Sequence, residues 1–331
     1  MNWSSVKNLM IAILVAANLF LVYNVVRQGR TLRYVDEEEI RGAIELLERD
    51  GLSVHFDDVP KEKFKAYVYE SLYSDEYYTE AAEALTGSKR ELLYALPEGG
   101  ISIRTENGST VEFDTDFGFR YVSVDNLDAS TYTEITADNF EAFSKNKSEL
   151  TASELKSHSK KAAEILDEAV GGDGELSTKV KLSCYDESTD MTYLLATQTL
   201  DGYEVYSHYA LCVFEGDELV FAKGRWYFAP IDEKYSTELY DQVNILFSDL
   251  ETLRSGVATL LEDDGEDTKI SIDAAPESEP IEVNSMSACY VIYWNSEKTS
   301  LFFIPAWQIE HNNGHDIVYN AANGTVYSSN Q

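Results

Sequence analysis

The sequence is short of bases, of thiols and of recognisable catalytic apparatus. Lysine and arginine number 26 against 59 acidic residues, for a formal net charge of −33. The first 33 residues hold four basic side chains, Lys7, Arg27, Arg30 and Arg33, and no acid, so with a total of −33 the remainder carries −37. A field of that sign repels a phosphate backbone, which excludes nucleic acid as a partner, and only the arginine collar could touch anionic headgroups. The three cysteines, Cys184, Cys212 and Cys289, are odd in number and far apart, and no CxxC is present, which excludes a complete disulfide framework. Each falls in a strand-like run, where a buried thiol packs as a small hydrophobe.

There is no GxSxG, Walker loop, HExxH or helix-opening GxGxxG. With five histidines and three cysteines, few nucleophiles or bases are to hand, so neither catalysis nor a cofactor is expected. His311 and His315 are four apart, a spacing that suggests zinc. The Asn312-Asn313-Gly314 between them is a hairpin signal, however, and no Cys or Glu stands at ligand spacing, so they read as strand ends. Asp114-Thr115-Asp116-Phe117-Gly118 opens like a calcium loop but lacks the third acid and the distant Glu. The acidic run at 262–267 reads as a solvated loop, and no metal is expected at any of these places.

The one long apolar run is Leu9 to Val26, 18 residues without a charge. As a helix it is roughly 27 Å long against a hydrocarbon core of about 30 Å, enough for a single transmembrane pass. Cleavage after Ala17 would leave an apolar stretch of only seven residues while the run continues beyond it, so the reading is an uncleaved anchor rather than a signal peptide. Arg27, Arg30 and Arg33 follow the span and Lys7 precedes it, so the positive-inside rule alone favours the opposite orientation to the one adopted below. Trp3 and Tyr23 read as interfacial anchors. Asn18 needs a hydrogen-bond partner in hydrocarbon, and Ala12 with Ala16 makes a small-xxx-small step, so these three are the candidate contacts to a partner helix.

After the anchor the pattern is α+β. Acids at Asp36 to Glu39 precede Ile40, Ala43, Ile44 and Leu47 at helical spacing, and Gly51 ends that helix. A strand at Leu52 to Phe56, another at Phe64 to Tyr69, a helix near Glu76 to Leu85 closed by Gly87, and a meander through Val124 complete a unit at 34–126. Residues 127–150 read as a connector, polar from Leu127 to Thr136, with a short helix at Ala137 to Ser144. Thr151-Ala152-Ser153-Glu154 is a capping box opening a helix that stops at Gly171. It heads a helix-plus-meander unit at 151–235, and a second such unit, 236–331, begins with an amphipathic helix from Leu239 to Leu261. Thr178 to Leu182 and Thr268 to Ile272 echo one another 90 positions apart, which suggests two copies of one unit.

Two regions carry a family resemblance. Met1-Asn2-Trp3-Ser4, Lys7 and Ala17-Asn18-Leu19-Phe20-Leu21 resemble the N-terminus of the YycI (WalI) family. Gly51-Leu52-Ser53-Val54 with Pro60, Asp201-Gly202-Tyr203-Glu204-Val205-Tyr206, Gly224-Arg225-Trp226, Ile304-Pro305-Ala306-Trp307-Gln308-Ile309 and Asn320-Ala321-Ala322-Asn323-Gly324 are similar to that family and to its partner family YycH. The resemblance implies a single-pass protein of the cell membrane in a Gram-positive bacterium, with a cytoplasmic N-terminus, its domains outside and the last two units PepSY-like. It also implies non-enzymatic association with a YycH-like protein and with the sensor histidine kinase of a cell-wall two-component system. The competing expectation is a tethered PepSY-like module that binds peptide, cell-wall or lipid ligands or inhibits a peptidase.

Overall fold

The computed structural model describes residues 34–72, 74–97, 99–124, 130–171, 174–255, 257–261, 267–271, 281–295, 299–314 and 316–327. The anchor expected from the sequence, with Trp3, Ala12, Ala16, Asn18 and Tyr23, lies outside them, as do His315 and residues 262–266 of the acidic run. No helix among the described residues is long and apolar enough to cross a membrane.

The architecture is mixed α+β, mostly sheet with few helices. In chain order, α1 (Glu37–Arg49), β1 (Leu52–Val54), β2 (Tyr67–Leu72) and α2 (Asp75–Thr86) precede β3 (Arg90–Ala95), β4 (Ile101–Thr105), β5 (Thr110–Phe113) and β6 (Gly118–Val122). Short α3 (Ser130–Thr133) and α4 (Phe140–Ser144) lead to α5 (Ala152–Val170), β7 (Leu176–Asp186), β8 (Met191–Leu200), β9 (Tyr203–Glu215), β10 (Glu218–Arg225) and β11 (Glu233–Ser236). The remainder is α6 (Gln242–Ser255), β12 (Val257–Leu261), β13 (Asp267–Ser271), β14 (Ile281–Trp294), β15 (Ser300–His311), β16 (Asp316–Asn320) and β17 (Val326–Tyr327).

Helix ends follow the capping chemistry in the sequence. Asp36 accepts from the Glu38 N–H at 3.0 Å, and α1 buries Ile40, Ala43, Ile44 and Leu47. The Thr151 hydroxyl accepts from the Glu154 N–H at 3.3 Å while the Glu154 carboxylate accepts from the Thr151 N–H at 3.0 Å, so the capping box is formed on both sides. Gly87 closes α2 in the left-handed region, φ 60°.

The strands form two wings. One runs β3-β4-β5-β6-β10-β9-β8-β7 with every neighbour antiparallel. In the other, β14 pairs with β15, and β15 carries β16 along one stretch and β2 along another. The wings meet where Cys289 and Tyr290 of β14 pair in parallel with Glu204 and Val205 of β9. β1 pairs in parallel with β14, and β2 also takes β11 as a neighbour. The segment before residue 126 is thereby stitched into both wings. Helices α2 and α5 pack together over the first wing, and α1 with α6 covers the second. Trp226 and Trp307 are each 1% exposed and belong to the two large cores, as core packing of these side chains predicts. All three cysteines are buried and unpaired; burial pushes Cys184 up to about 11 and Cys212 up to about 12.

Three expectations are corrected. The helix expected at Leu239 to Leu261 ends at Ser255, and Val257–Leu261 is a strand; β-branched Val257 and Thr259 after Gly256 favour extension over the apolar periodicity. The connector is not wholly polar, because Tyr132 and Ile135 are buried on the reverse face of the first wing with Phe140. The five-residue echo is not structurally equivalent: residues 178–182 belong to β7, which pairs with the strand after it, whereas β13 pairs with the strand before it.

Candidate functional site

Where β9 passes from one wing to the other, its neighbours change. On the first wing, Gly224 of β10 lies so close to β9 that a Cβ there would meet the Tyr209 carbonyl at 1.9 Å. Beyond it the chain leaves the sheet, and the Trp226 N–H donates to the Phe117 carbonyl at 2.8 Å. On the β8 side the register shifts between Thr197 and Thr199, with Ser207 held at φ 60°. A serine in the left-handed region marks a bulge that redirects the strand.

A cavity of about 610 Å³ opens at this crossing, floored by β7, β8 and β9 and walled by the segment leading into α4 on one side and β14 to β16 on the other. Its volume is in the range of sites that enclose small ligands. The floor carries apolar Leu182, Leu195 and Val205, and charge is distributed around them. In the middle, Lys181 and Glu204 form an ion pair, with Lys179 3.6 Å from the same carboxylate.

At one end, Asp316 Oδ2 accepts from Gln308 Nε2 at 2.9 Å and from the Tyr206 hydroxyl at 3.3 Å, and Oδ1 has no partner among the described residues. Asp316 is exposed, and partial desolvation of its carboxyl raises it from the ordinary value, with the Gln308 hydrogen bond opposing. At the other end, Arg225 Nε donates to the Asp116 carbonyl at 3.1 Å, leaving the rest of the guanidinium without a partner among the described residues. Tyr209 lines the cavity with Asp138 and Arg225; burial raises its phenol, Asp138 adds to the rise and Arg225 offsets it. His208 is buried beside this floor with its ring 5.9 Å from that of Phe117, and burial pushes it down to about 4, so the imidazole is neutral.

The other candidates resolve into structural roles. His311 is buried: its Nε2 lies 2.9 Å from Asp249 Oδ2, and Tyr319 donates to Asp249 Oδ1 at 2.7 Å. Both side chains of the His–Asp pair are fully shielded from solvent, so the cluster ties α6 to β15 and β16. Asp114 Oδ1 accepts from the N–H groups of Asp116 at 2.9 Å and Gly118 at 2.6 Å, which spends it on a turn. No group of three or more potential metal-ligating side chains is present among the described residues.

Glu204, Tyr206, Arg225 and Gln308 fall within the stretches that carry the family resemblance, but nothing in those stretches marks them as lining a site. The available signal is charge inside strand-like runs, at Lys181, Glu204, Arg225 and Asp316, where an outward solvated face is the default reading. Neither a protein-family model nor a curated protein matches the chain.

Proposed function

We propose that this protein is a membrane-anchored, non-enzymatic regulator of a cell-wall sensor histidine kinase. In this reading the residues from 34 onward lie outside the cytoplasm, and the anchor contacts the kinase and a YycH-like partner through Ala12, Ala16 and Asn18. Trp3 and Tyr23 fix its depth at the two interfaces. The last two units act as PepSY-like scaffolding, and no metal or cofactor takes part.

The observation that supports this reading is how soon the fold begins after the apolar run. Tyr34 bridges to Glu62, the Val35 N–H donates to the Lys61 carbonyl at 3.0 Å, and Val35 is 5% exposed. Only residues 27–33 separate the end of the span from this attachment, a reach of at most roughly 25 Å. A domain clipped so closely to its anchor transmits rotation or displacement to the helix rather than losing it in a linker.

Replacing residues 1–26 with an unrelated uncharged span tests the proposal. Kinase output, measured as phosphorylation of its response regulator, is expected to lose its dependence on the protein. Undiminished regulation by the swapped protein would show that the anchor is a tether only. Asn18→Leu is expected to weaken co-purification with the kinase or the YycH-like partner by about 3- to 30-fold, the worth of one side-chain hydrogen bond between membrane helices.

A further inference from the structure

The cavity at the β9 crossing has two open charged ends that internal pairing does not use. Among the described residues, one oxygen of Asp316 has partners and the other has none. Arg225 spends only its Nε on the protein. Tyr206, which holds Asp316, and Tyr209, which lies beside Arg225, are three residues apart on β9. The bulge at Ser207 lies between them, and both side chains line the cavity. Between the two ends Lys179 and Lys181 share the Glu204 carboxylate, and the remaining floor is largely apolar.

This distribution selects among ligand classes. A polyanion such as phosphate would enter a lining that sets four carboxylates, Asp138, Glu141, Glu204 and Asp316, against Arg225 and Lys181. A simple cation would make no use of Arg225, and a neutral ligand would make no use of either charged end. We propose that the cavity binds a small zwitterion, with the ligand's ammonium at Asp316 and its carboxylate at Arg225 and the Tyr209 hydroxyl. Free amino acids and short peptides share this pair of terminal charges, and titration with both tells them apart. This site stands independently of the kinase-regulator reading, since it draws on no residue of the anchor.

The test is calorimetric titration of the full-length protein in lipid nanodiscs with three probes: trialanine, free alanine, and trialanine acetylated and amidated at its ends. Trialanine is expected to bind saturably, and the blocked peptide at least about tenfold more weakly, the loss of a charge-assisted hydrogen bond. Asp316→Asn and Arg225→Gln should each weaken trialanine by about tenfold, with melting curves confirming that each variant is folded. Because Arg225 also holds the Asp116 carbonyl, Tyr209→Phe substitutes for Arg225→Gln if the latter does not fold. Binding of free alanine in preference to trialanine keeps the zwitterion site and assigns it to amino acids. Absence of saturable binding by either zwitterion, or equal affinity for the blocked peptide, overturns the proposal.

Discussion

Asp249 is a carboxylate with no access to water, and its two oxygens are each taken by one donor, the His311 ring and the Tyr319 hydroxyl. Removing an acceptor shared by two buried donors strands both of them. Asp249→Ala is therefore expected to cost about 3–5 kcal/mol, and Tyr319→Phe about 1 kcal/mol, read as shifts in urea denaturation midpoints. The sequence placed His311 at a strand end, but its partner stands 62 residues earlier on a helix, and no local pattern encodes that distance. A second acid gives a pH signature. Lys147, with help from Ser188, holds the Asp186 carboxyl down to about 2 from an ordinary 3.8. A depressed carboxyl contributes stability above its unfolded value and loses it as pH falls through the folded one. The stability gap between wild type and Asp186→Asn should hold constant from neutrality to about pH 4 and close between about 4 and 2.

At the scale of elements, helix ends and turns were legible because their chemistry is local. Asp36, Gly87, the Thr151–Glu154 pair and Asn313-Gly314 act within a few residues of themselves, and each does in the structure what its neighbours imply. The end of α6 was not legible, because apolar spacing continued past Gly256 while β-branching turned against the helix. The crossing of β9 was also hidden: Gly224 reads as one more glycine, yet its missing side chain lets β10 approach the Tyr209 carbonyl. Gly224→Ala should cost about 3 kcal/mol, the upper end of overpacking penalties. Thr151→Ala, which removes only a cap, should cost about 1 kcal/mol. Thermal melts of the two variants side by side would separate a fault between strands from one at a helix end.

At the scale of the molecule, long-range pairing decides cooperativity. Phe64 makes edge-on contacts with Tyr203 at 4.7 Å, Trp307 at 5.3 Å and Tyr290 at 6.5 Å between ring centroids, joining side chains from both wings. Residues 34–331 are accordingly expected to unfold in one transition, with fluorescence and circular dichroism curves superimposed. Residues 151–235 expressed alone should stay unfolded, since β10 loses β6 and the core under α5 loses Tyr69, Phe113 and Tyr290. Two separate transitions in the longer chain, or a folded fragment, would contradict this. The attachment at Tyr34 and Val35 also has a mechanical side. Tension applied through residue 33 falls first on the contacts to Lys61 and Glu62, then on α1 and the three-residue pairing of β1 with β14. In an optical trap pulling from residue 33, this segment should peel away first and leave the later strands intact, so that the attachment carries displacement only up to a threshold load.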